Sequence, residues 1–335
     1  MKKLFILFSF SAIAAIISLA TPLPSRAQTL GERVEALEKK AAEGDAEAMY
    51  HLSTLYEHGF DSIAADSLRS RRLLKASAEG GYAPAQNYYG FLIYPSDKDA
   101  GLSWLAKGAD QGDMKAVSNL GFLLLQPDST INDEQRAEHD RKAAQLLSKA
   151  AQADLPAAMA TLADLYREGR GVEQDSLEAE RLYLGAVARG LPDAERKLLD
   201  MNFQRYQTLS PDSALAEGVR ASRAGAYTVA FNLYSRAAEG EIPKAFALLG
   251  DAYSSAKGTD YNHDLAIRNY YSGAVGGDPS AQFILAELLE IFPDALKDIA
   301  SEEAPSEYAS PDFWYEKASS AGVTSARDAF HRLFD

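Results

Sequence analysis

The chain has 335 residues, of which 47% are hydrophobic and 24% are charged, and this apolar content excludes disorder of the whole chain. Cysteine is absent, which excludes disulfides, a thiol nucleophile and cysteine metal ligands. The formal net charge of −14 would repel a nucleic-acid backbone, so we expect no nucleic-acid partner.

The first 27 residues have the pattern of a secretory signal peptide. Lys2 and Lys3 precede an uncharged apolar stretch of 17 residues, and Ser25-Arg26-Ala27 places small residues at both cleavage positions. We therefore expect cleavage after Ala27, export, and a periplasmic, cell-surface or secreted location. The alternative is an uncleaved membrane anchor, because 17 residues is near the lower limit for a span. No later stretch is long and apolar enough to predict a transmembrane span.

Residues 154–190 contain the clearest internal pattern. Apolar residues recur every four positions up to Tyr166, as on one face of a helix, and Gly169-Arg170-Gly171-Val172 then interrupts them. Asp175 is a typical N-cap residue for a second helix, and Gly190 suits the left-handed conformation that often ends a helix. This segment therefore predicts two helices joined by a short loop.

The same repeat recurs along the chain. Counted from the residue that closes each repeat, alanine stands four positions later and a large apolar residue eight positions later. A small residue lets two helices approach closely, and a large one fills the core about one turn further on. The closing residues are Gly44, Gly81, Gly112, Asp154, Gly190, Glu241, Gly277 and Gly322. The alanines are Ala48, Ala85, Ala116, Ala158, Ala194, Ala245, Ala281 and Ala326, and the large residues are Leu52, Tyr89, Leu120, Leu162, Leu198, Leu249, Leu285 and Phe330.

Helix-capping residues give a second regularity. Five residues stand 15 positions before a predicted helix end. The side chain of each can accept hydrogen bonds from the free N–H groups of the first turn of a helix. A small residue follows each of them by four positions, again where two helices would meet. The caps are Asp66, Asp97, Asp175, Ser210 and Asn262, and the small residues are Ser70, Gly101, Ala179, Ala214 and Ala266.

This pattern resembles the Sel-one-like repeat, a relative of the tetratricopeptide repeat, over about residues 37–335. The resemblance implies an all-α fold, a right-handed superhelical α-α solenoid of helix pairs over residues 28–335. It also implies a concave face that binds proteins or peptides. One repeat is more similar to the tetratricopeptide form. It resembles the second helix of that repeat at Gly225, Tyr227, Ala230, Tyr234 and Ala237.

Three intervals between closing residues are longer than the others, at 51, 42 and 45 residues. The 51-residue interval predicts an extra helix pair around residues 210–240. We attribute the 42-residue interval to a polar connector over residues 126–140. We attribute the 45-residue interval to an acidic exposed loop over residues 292–311, which contains one short helix, lies off the packed core and is either a tolerated surface loop or a contact loop. Residues 30–43 are expected to form a helix that caps the N-terminal end.

No catalytic or metal site is indicated, so we expect a protein that is not an enzyme and has no cofactor. His51 and His58 share a predicted helix face but lack a third zinc ligand. Residues 260–271 lack the glycine and glutamate that a calcium loop requires. Ser254-Ser255-Ala256-Lys257 has the spacing of a Ser-x-x-Lys motif, but the partner motifs of that enzyme class are absent.

The resemblance also implies candidate contact positions, because first helices line the concave side of such solenoids. These positions are mostly aromatic or apolar in the early repeats, which suits apolar side chains, and largely acidic later, which suits lysine or arginine. Without residues 1–27 the net charge is −17, so we expect a protein or peptide partner of basic character. The alternatives are helix packing for Phe91 and Phe122 and plain solvation for the acids. The positions are Tyr50, Thr54, Phe91, Tyr94, Phe122, Leu125, Asp164, Arg167, Asp200, Asp251, Glu287 and Glu290.

The sequence thus favours a non-enzymatic interaction scaffold. The alternatives are a structural component of an outer-membrane assembly, and an envelope hydrolase or its activator. Asp-Ser followed by an aliphatic residue or threonine also resembles an O-glycosylation sequence of some exported bacterial proteins, although helix capping explains part of the set. It occurs at Asp61, Asp66, Asp128, Asp175 and Asp212.

Overall fold

The computed structural model of the protein describes residues 30–59, 63–297, 299 and 304–334. The predicted signal peptide, residues 1–27, lies outside these described residues. The chain forms two compact units, an N-terminal unit that ends at Ala179 and a C-terminal unit that begins at Glu180.

The N-terminal unit consists of consecutive helices. The packed pairs are α2 with α3, α4 with α5 and α6 with α7, and α1 packs on α2. The first helices of successive repeats are also in contact, α2 with α4, α4 with α6 and α6 with α8. The helices are α1 (Leu30–Ala42), α2 (Ala46–His58), α3 (Ser67–Glu79), α4 (Ala83–Ile93), α5 (Lys98–Asp110), α6 (Met114–Leu124), α7 (Asp133–Gln152), α8 (Pro156–Glu168) and α9 (Ser176–Ala188), the last continuing past Ala179.

The C-terminal unit is helical in the same way. Its packed pairs are α11 with α12, α13 with α14 and α15 with α16, and α13 also contacts α15. Its helices are α10 (Pro192–Thr208), α11 (Pro211–Arg223), α12 (Tyr227–Ala238), α13 (Pro243–Ser255), α14 (His263–Val275), α15 (Pro279–Ile291), a 3-10 helix (Ser306–Ala309), α16 (Pro311–Ser320) and α17 (Thr324–Phe334). The predicted all-α fold of packed consecutive helix pairs is confirmed.

The regular alanine positions lie in the core. None of the eight alanines exposes more than 2% of its surface. Six of the eight large residues that follow them are also buried, and only Tyr89 and Phe330 are half-buried. Since burial of apolar surface is the main favourable term in folding, the repeated pair of small and large residues stabilises every repeat.

The closing residues all have a positive φ, including Asp154 at 62° and Glu241 at 55°. Gly190 shows what this conformation does at a helix end. Its N–H donates to the carbonyl oxygen of Val187 over 2.8 Å, and the next N–H, of Leu191, donates to Ala186 over 3.1 Å. This is the Schellman arrangement, which satisfies the last carbonyl groups of a helix and turns the chain toward the next one.

All five predicted capping side chains accept a hydrogen bond from the first turn of their helix. Asp66, for example, accepts from the N–H groups of Leu68 and Arg69 over 3.1 and 2.9 Å. Capping satisfies donors that would otherwise lack a partner, and each cap typically contributes about 1 kcal/mol. The predicted caps are therefore confirmed.

The polar connector predicted over residues 126–140 is wrong in its second half, because α7 begins at Asp133. Asn132 and Gln135 form a reciprocal capping box there, with hydrogen bonds of 2.9 and 3.0 Å. The acidic first turn, Asp133 and Glu134, also suits the positive end of the helix dipole. The helix is mostly polar at its start, and for this reason apolar periodicity missed it.

The region 292–311 was predicted to lie off the packed core, and this is wrong for four of its described residues, Ala295, Leu296, Ile299 and Tyr308. Leu296 is buried, and the ring of Tyr308 lies 4.9 Å from that of Trp314, whose Nε1 donates to the Tyr308 carbonyl oxygen over 2.8 Å. The expected short helix is present as the 3-10 helix, while 298 and 300–303 lie outside the described residues. The predicted extra pair around 210–240 (α11 and α12) and the N-terminal helix α1 are confirmed.

Candidate functional site

The aromatic contact positions predicted for the early repeats lie on neighbouring first helices. Tyr50 is in α2, Phe91 is in α4 with Tyr94 directly after it, and Phe122 is in α6 with Leu125 directly after it. All five are half-buried. Because α2 contacts α4 and α4 contacts α6, these side chains belong to one continuous row of helices. We call Tyr50, Phe91, Tyr94 and Phe122 the aromatic surface.

One core cluster holds most of this surface in place. Phe91, Tyr94, Phe122 and Leu125 all pack against the same buried leucines and alanine. Packing against neighbouring helices was one of the two interpretations left open for Phe91 and Phe122, and the structure shows such packing for both. Each ring nevertheless keeps part of its surface accessible, so that packing and partner contact are compatible. The cluster residues are Leu105, Leu120, Leu123, Leu124 and Ala143.

Tyr94 is fixed by a close approach of two helices. Gly101 of α5 lies against it so closely that a Cβ atom at that position would be 2.7 Å from the Tyr94 Cα. The small position predicted at Gly101 therefore has a steric reason. The Tyr94 hydroxyl donates to the carbonyl oxygen of Leu123 in α6 over 3.2 Å, and burial raises the pKa of this hydroxyl.

Tyr50 belongs to an adjoining cluster with Tyr82, Tyr88 and Trp104. Its ring centroid lies 5.4 Å from that of Tyr82, and the hydroxyl of Thr54 donates to the Tyr50 carbonyl oxygen over 3.2 Å. Burial is the largest cause that raises the pKa of Tyr82 and of Tyr88 to about 12. These phenols are therefore neutral at physiological pH, and they add apolar surface and hydrogen-bond donors but no charge.

The two contact positions predicted in α8 pair with each other. Arg167 lies 3.4 Å from the carboxylate of Asp164 and 2.6 Å from that of Glu168. The Arg167 and Glu168 side chains are 35% and 41% exposed, so solvent screens their attraction and its contribution to stability is small.

The acidic positions predicted in the C-terminal unit fall into two groups. Asp251 accepts from the Tyr270 hydroxyl over 2.9 Å, and partial burial of this carboxyl raises its pKa. Glu290 accepts from the Tyr315 hydroxyl over 2.7 Å and lies 3.1 Å from Arg332. Asp200 and Glu287 are exposed. The carboxylates of Asp251 and Glu290 are therefore engaged as hydrogen-bond acceptors within the C-terminal unit.

A buried polar network in the C-terminal unit was missed by the sequence analysis. The carboxylate of Glu180 accepts from Arg205 over 2.7 Å and from Asn202 over 3.0 Å, and it also pairs with Arg220. Arg205 bonds on its other side to Glu217 over 2.8 and 2.9 Å. The two acids and two arginines balance in charge, and they join α10 and α11 to Glu180. No motif joins residues 25 and 40 positions apart, so the sequence carried no signal for this network.

The motifs considered for chemistry do not form a reactive site. The Ser254 hydroxyl shares a hydrogen bond of 3.1 Å with Tyr270, whereas the Lys257 ammonium group lies over the Tyr227 ring, 5.3 Å from its centroid. The described residues contain no group of three or more His, Asp or Glu side chains that could hold a metal ion. None of the described helices is long and apolar enough to cross a membrane.

Comparison with known proteins identifies the repeat. The Sel1 repeat model matches residues 46–82, 83–113, 140–155, 156–191, 226–241 and 313–323. The chain contains six Sel1 repeats. Such repeats typically form protein–protein interaction scaffolds and are generally non-catalytic. The matched segments at 83–113 and 156–191 start and end within one or two residues of closing residues of the pattern described above.

Three bacterial proteins are similar to this chain. It is 29% identical over 237 residues to an uncharacterized protein of Neisseria meningitidis serogroup B, with 66% of this chain and 49% of that protein covered, so it spans about half the length of this curated relative. A protective antigen of uropathogenic Escherichia coli strains, which displays an SLR fold, is 20% identical, with 90% of this chain and 67% of that chain covered and a TM-score of 0.45. A Sel1 repeat protein from Oxalobacter formigenes is 26% identical, with 97% and 86% covered and a TM-score of 0.43.

Proposed function

We propose that this protein is an exported, non-enzymatic scaffold that binds a protein or peptide partner on the face formed by its first helices. The observation that carries this proposal is the aromatic surface. Three of its rings lie on α2, α4 and α6, which contact one another in order, and the fourth, Tyr94, directly follows α4. Every ring is half-buried.

The physical argument rests on preorganisation. A half-buried ring is held by the core on one side and keeps the other side available, so little side-chain entropy remains to be lost on binding. Aromatic side chains that are positioned in this way are the residues that most often dominate interface energies. A partner would insert apolar side chains between them, as peptides do in grooves lined with aromatic residues.

The charge of the chain supports a basic partner. Without residues 1–27 the net charge is −17, and Asp200 and Glu287 are exposed at contact positions of the later repeats. The negative electrostatic field of this charge accelerates association with a basic partner and makes the association rate sensitive to salt. Export is part of the proposal on the pattern of residues 1–27, with their two initial lysines, apolar stretch and small residues before the expected cleavage site.

Site-specific photo-crosslinking tests this proposal. Residues 28–335 are produced with a photoreactive amino acid at Thr54, in α2 beside Tyr50, and incubated with an envelope extract of the source cell. The matched control carries the same group at Ser103, an exposed position on the second helix α5. We expect one dominant protein crosslinked from Thr54 and not from Ser103. Crosslinks from Ser103 alone, or none from Thr54, would contradict the proposed face.

A further inference from the structure

The C-terminal unit contains a pocket of about 520 Å³ that no predicted contact position lines. It lies among the start of α14, the end of α15, residues 292–295 and Ile299. We call it the α14–α15 pocket. Pockets of 300–1,000 Å³ are the usual size for a ligand of several side-chain groups, and this one could hold an aromatic ring or two aliphatic side chains.

Two of the large apolar side chains that line the pocket are exposed to solvent. Ile267 is buried and forms part of the lining, whereas Ile291 is 68% exposed and Phe292 is 48% exposed. The Phe292 ring is oriented by an edge contact with His263, at 5.5 Å between centroids. Neighbouring large apolar residues at the surface of a concavity mark an interaction site more often than scattered ones do.

The charged groups of the pocket favour a cation. Asp264 and Asp294 both line it, and neither carboxylate has a hydrogen bond or an ion pair with any other residue in the described parts of the chain. Arg268 lines it as well but is already engaged in an interaction within the chain. An acidic ligand would face two unpaired carboxylates, and a purely apolar ligand would leave them without a partner when it excludes water. A lysine or arginine would satisfy both.

We propose that the α14–α15 pocket binds a polypeptide segment in which a large apolar side chain stands next to a lysine or arginine. The apolar side chain enters between Ile267, Ile291 and Phe292, and the adjacent cation pairs with Asp264 and Asp294. Its lining residues differ from those of the aromatic surface, so the pocket is a separate site and does not depend on that surface.

Two matched peptide pools test the pocket on the protein of residues 28–335. The pools are fluorescein-labelled Ser-Gly-X-Lys-Gly-Ser and Ser-Gly-X-Glu-Gly-Ser, with X an equal mixture of leucine, phenylalanine and isoleucine. Fluorescence anisotropy should show binding of the lysine pool at least about tenfold tighter than the glutamate pool. Equal affinities, or no binding of the lysine pool up to about 1 mM, would overturn the proposal.

Two double variants in the pocket and one outside it locate the binding. Ile291→Ser with Phe292→Ser should weaken the lysine pool about tenfold, and the exposure of both side chains keeps the fold intact, as a circular dichroism melt would check. Asp264→Asn with Asp294→Asn should reduce the preference for lysine to less than about threefold. Leu68→Ser with Leu177→Ser changes two exposed apolar side chains that do not line the pocket, and it should leave the pool affinity unchanged. An equal loss of binding in this control and in the Ile291 and Phe292 variant, or no loss in either, would overturn the pocket as the binding site.

Discussion

The hydroxyl group of Tyr94, directly after α4, donates a hydrogen bond of 3.2 Å to the carbonyl oxygen of Leu123 in α6. Burial raises the pKa of this hydroxyl, so it remains a protonated donor at neutral pH. The bond links two successive first helices directly, and Phe91 and Phe122 pack in the same cluster. This hydrogen bond and the shared packing therefore fix the distances between the rings of Phe91, Tyr94 and Phe122.

Tyr94→Phe removes only this hydroxyl. We expect the free energy of unfolding to fall by about 1 kcal/mol, the usual net contribution of one hydrogen bond. Urea denaturation followed by circular dichroism measures the change. Tyr166→Phe in α8 is the matched control, because its hydroxyl makes no hydrogen bond with the described residues. An equal loss in both variants would show that the Tyr94 bond has no special role.

Glu241 closes a repeat with φ at 55°, a conformation that costs a residue with a Cβ about 1–2 kcal/mol. Glu241→Gly should therefore raise the free energy of unfolding by about 0.5–1 kcal/mol, after allowance for the entropy of glycine in the unfolded chain. The reverse change, Gly190→Glu, should lower it by a similar amount. A Cβ at Gly190 would meet no atom within 4 Å, so only the backbone conformation is tested there. Changes of the same sign in the two variants would contradict this explanation.

The carboxylate of Glu180 is only 6% exposed and bonds to two arginines. Glu180→Ala would leave both guanidinium groups without this partner, and we expect a loss of about 3 kcal/mol in the free energy of unfolding. Arg220 is 58% exposed, so Arg220→Ala should cost less than about 1 kcal/mol. Thermal or urea denaturation distinguishes the two. Similar losses would mean that the network is held mainly by its exposed member.

Two tyrosines should make the protein sensitive to alkali. Burial raises the pKa of Tyr82 and Tyr88 to about 12, whereas an unfolded tyrosine ionises near 10. The neutral phenols therefore stabilise the folded state fully below pH 10, and this contribution disappears as the pH rises from about 10 to about 12. The absorbance difference at 295 nm between the wild type and Tyr88→Phe should show one phenol titrating near 12. A midpoint near 10 would contradict the burial argument.

The regular parts of the fold could be predicted from the sequence because their causes are local. A cap such as Asp97 bonds within its own first turn, and an alanine such as Ala245 is required wherever two helices meet closely. These constraints recur in every repeat, so they appear as fixed spacings. The aromatic contact positions Phe91 and Phe122 were predicted from the resemblance to the repeat family instead, and that resemblance did not indicate that both side chains pack against the core.

The irregular parts depend on contacts that spacing does not show. The polar start of α7 is helical because Asn132 and Gln135 cap it, and Leu296 is buried because residues distant in the sequence cover it. The network around Glu180 joins residues 25 and 40 positions away. The α14–α15 pocket likewise arises where the chain after α15 returns to the start of α14, which no periodic pattern indicates.

The most direct test of the central claim compares two ways of weakening one core cluster. Phe91→Ala with Phe122→Ala removes rings from the first helices, whereas Leu102→Ala removes a side chain that packs on the same cluster from the second helix α5. Isothermal titration with the partner captured through Thr54 measures affinity, and circular dichroism verifies that each variant is folded. We predict that the phenylalanine variant binds at least about tenfold more weakly while Leu102→Ala binds like the wild type. Equal affinity in the two variants would contradict binding on the first-helix face.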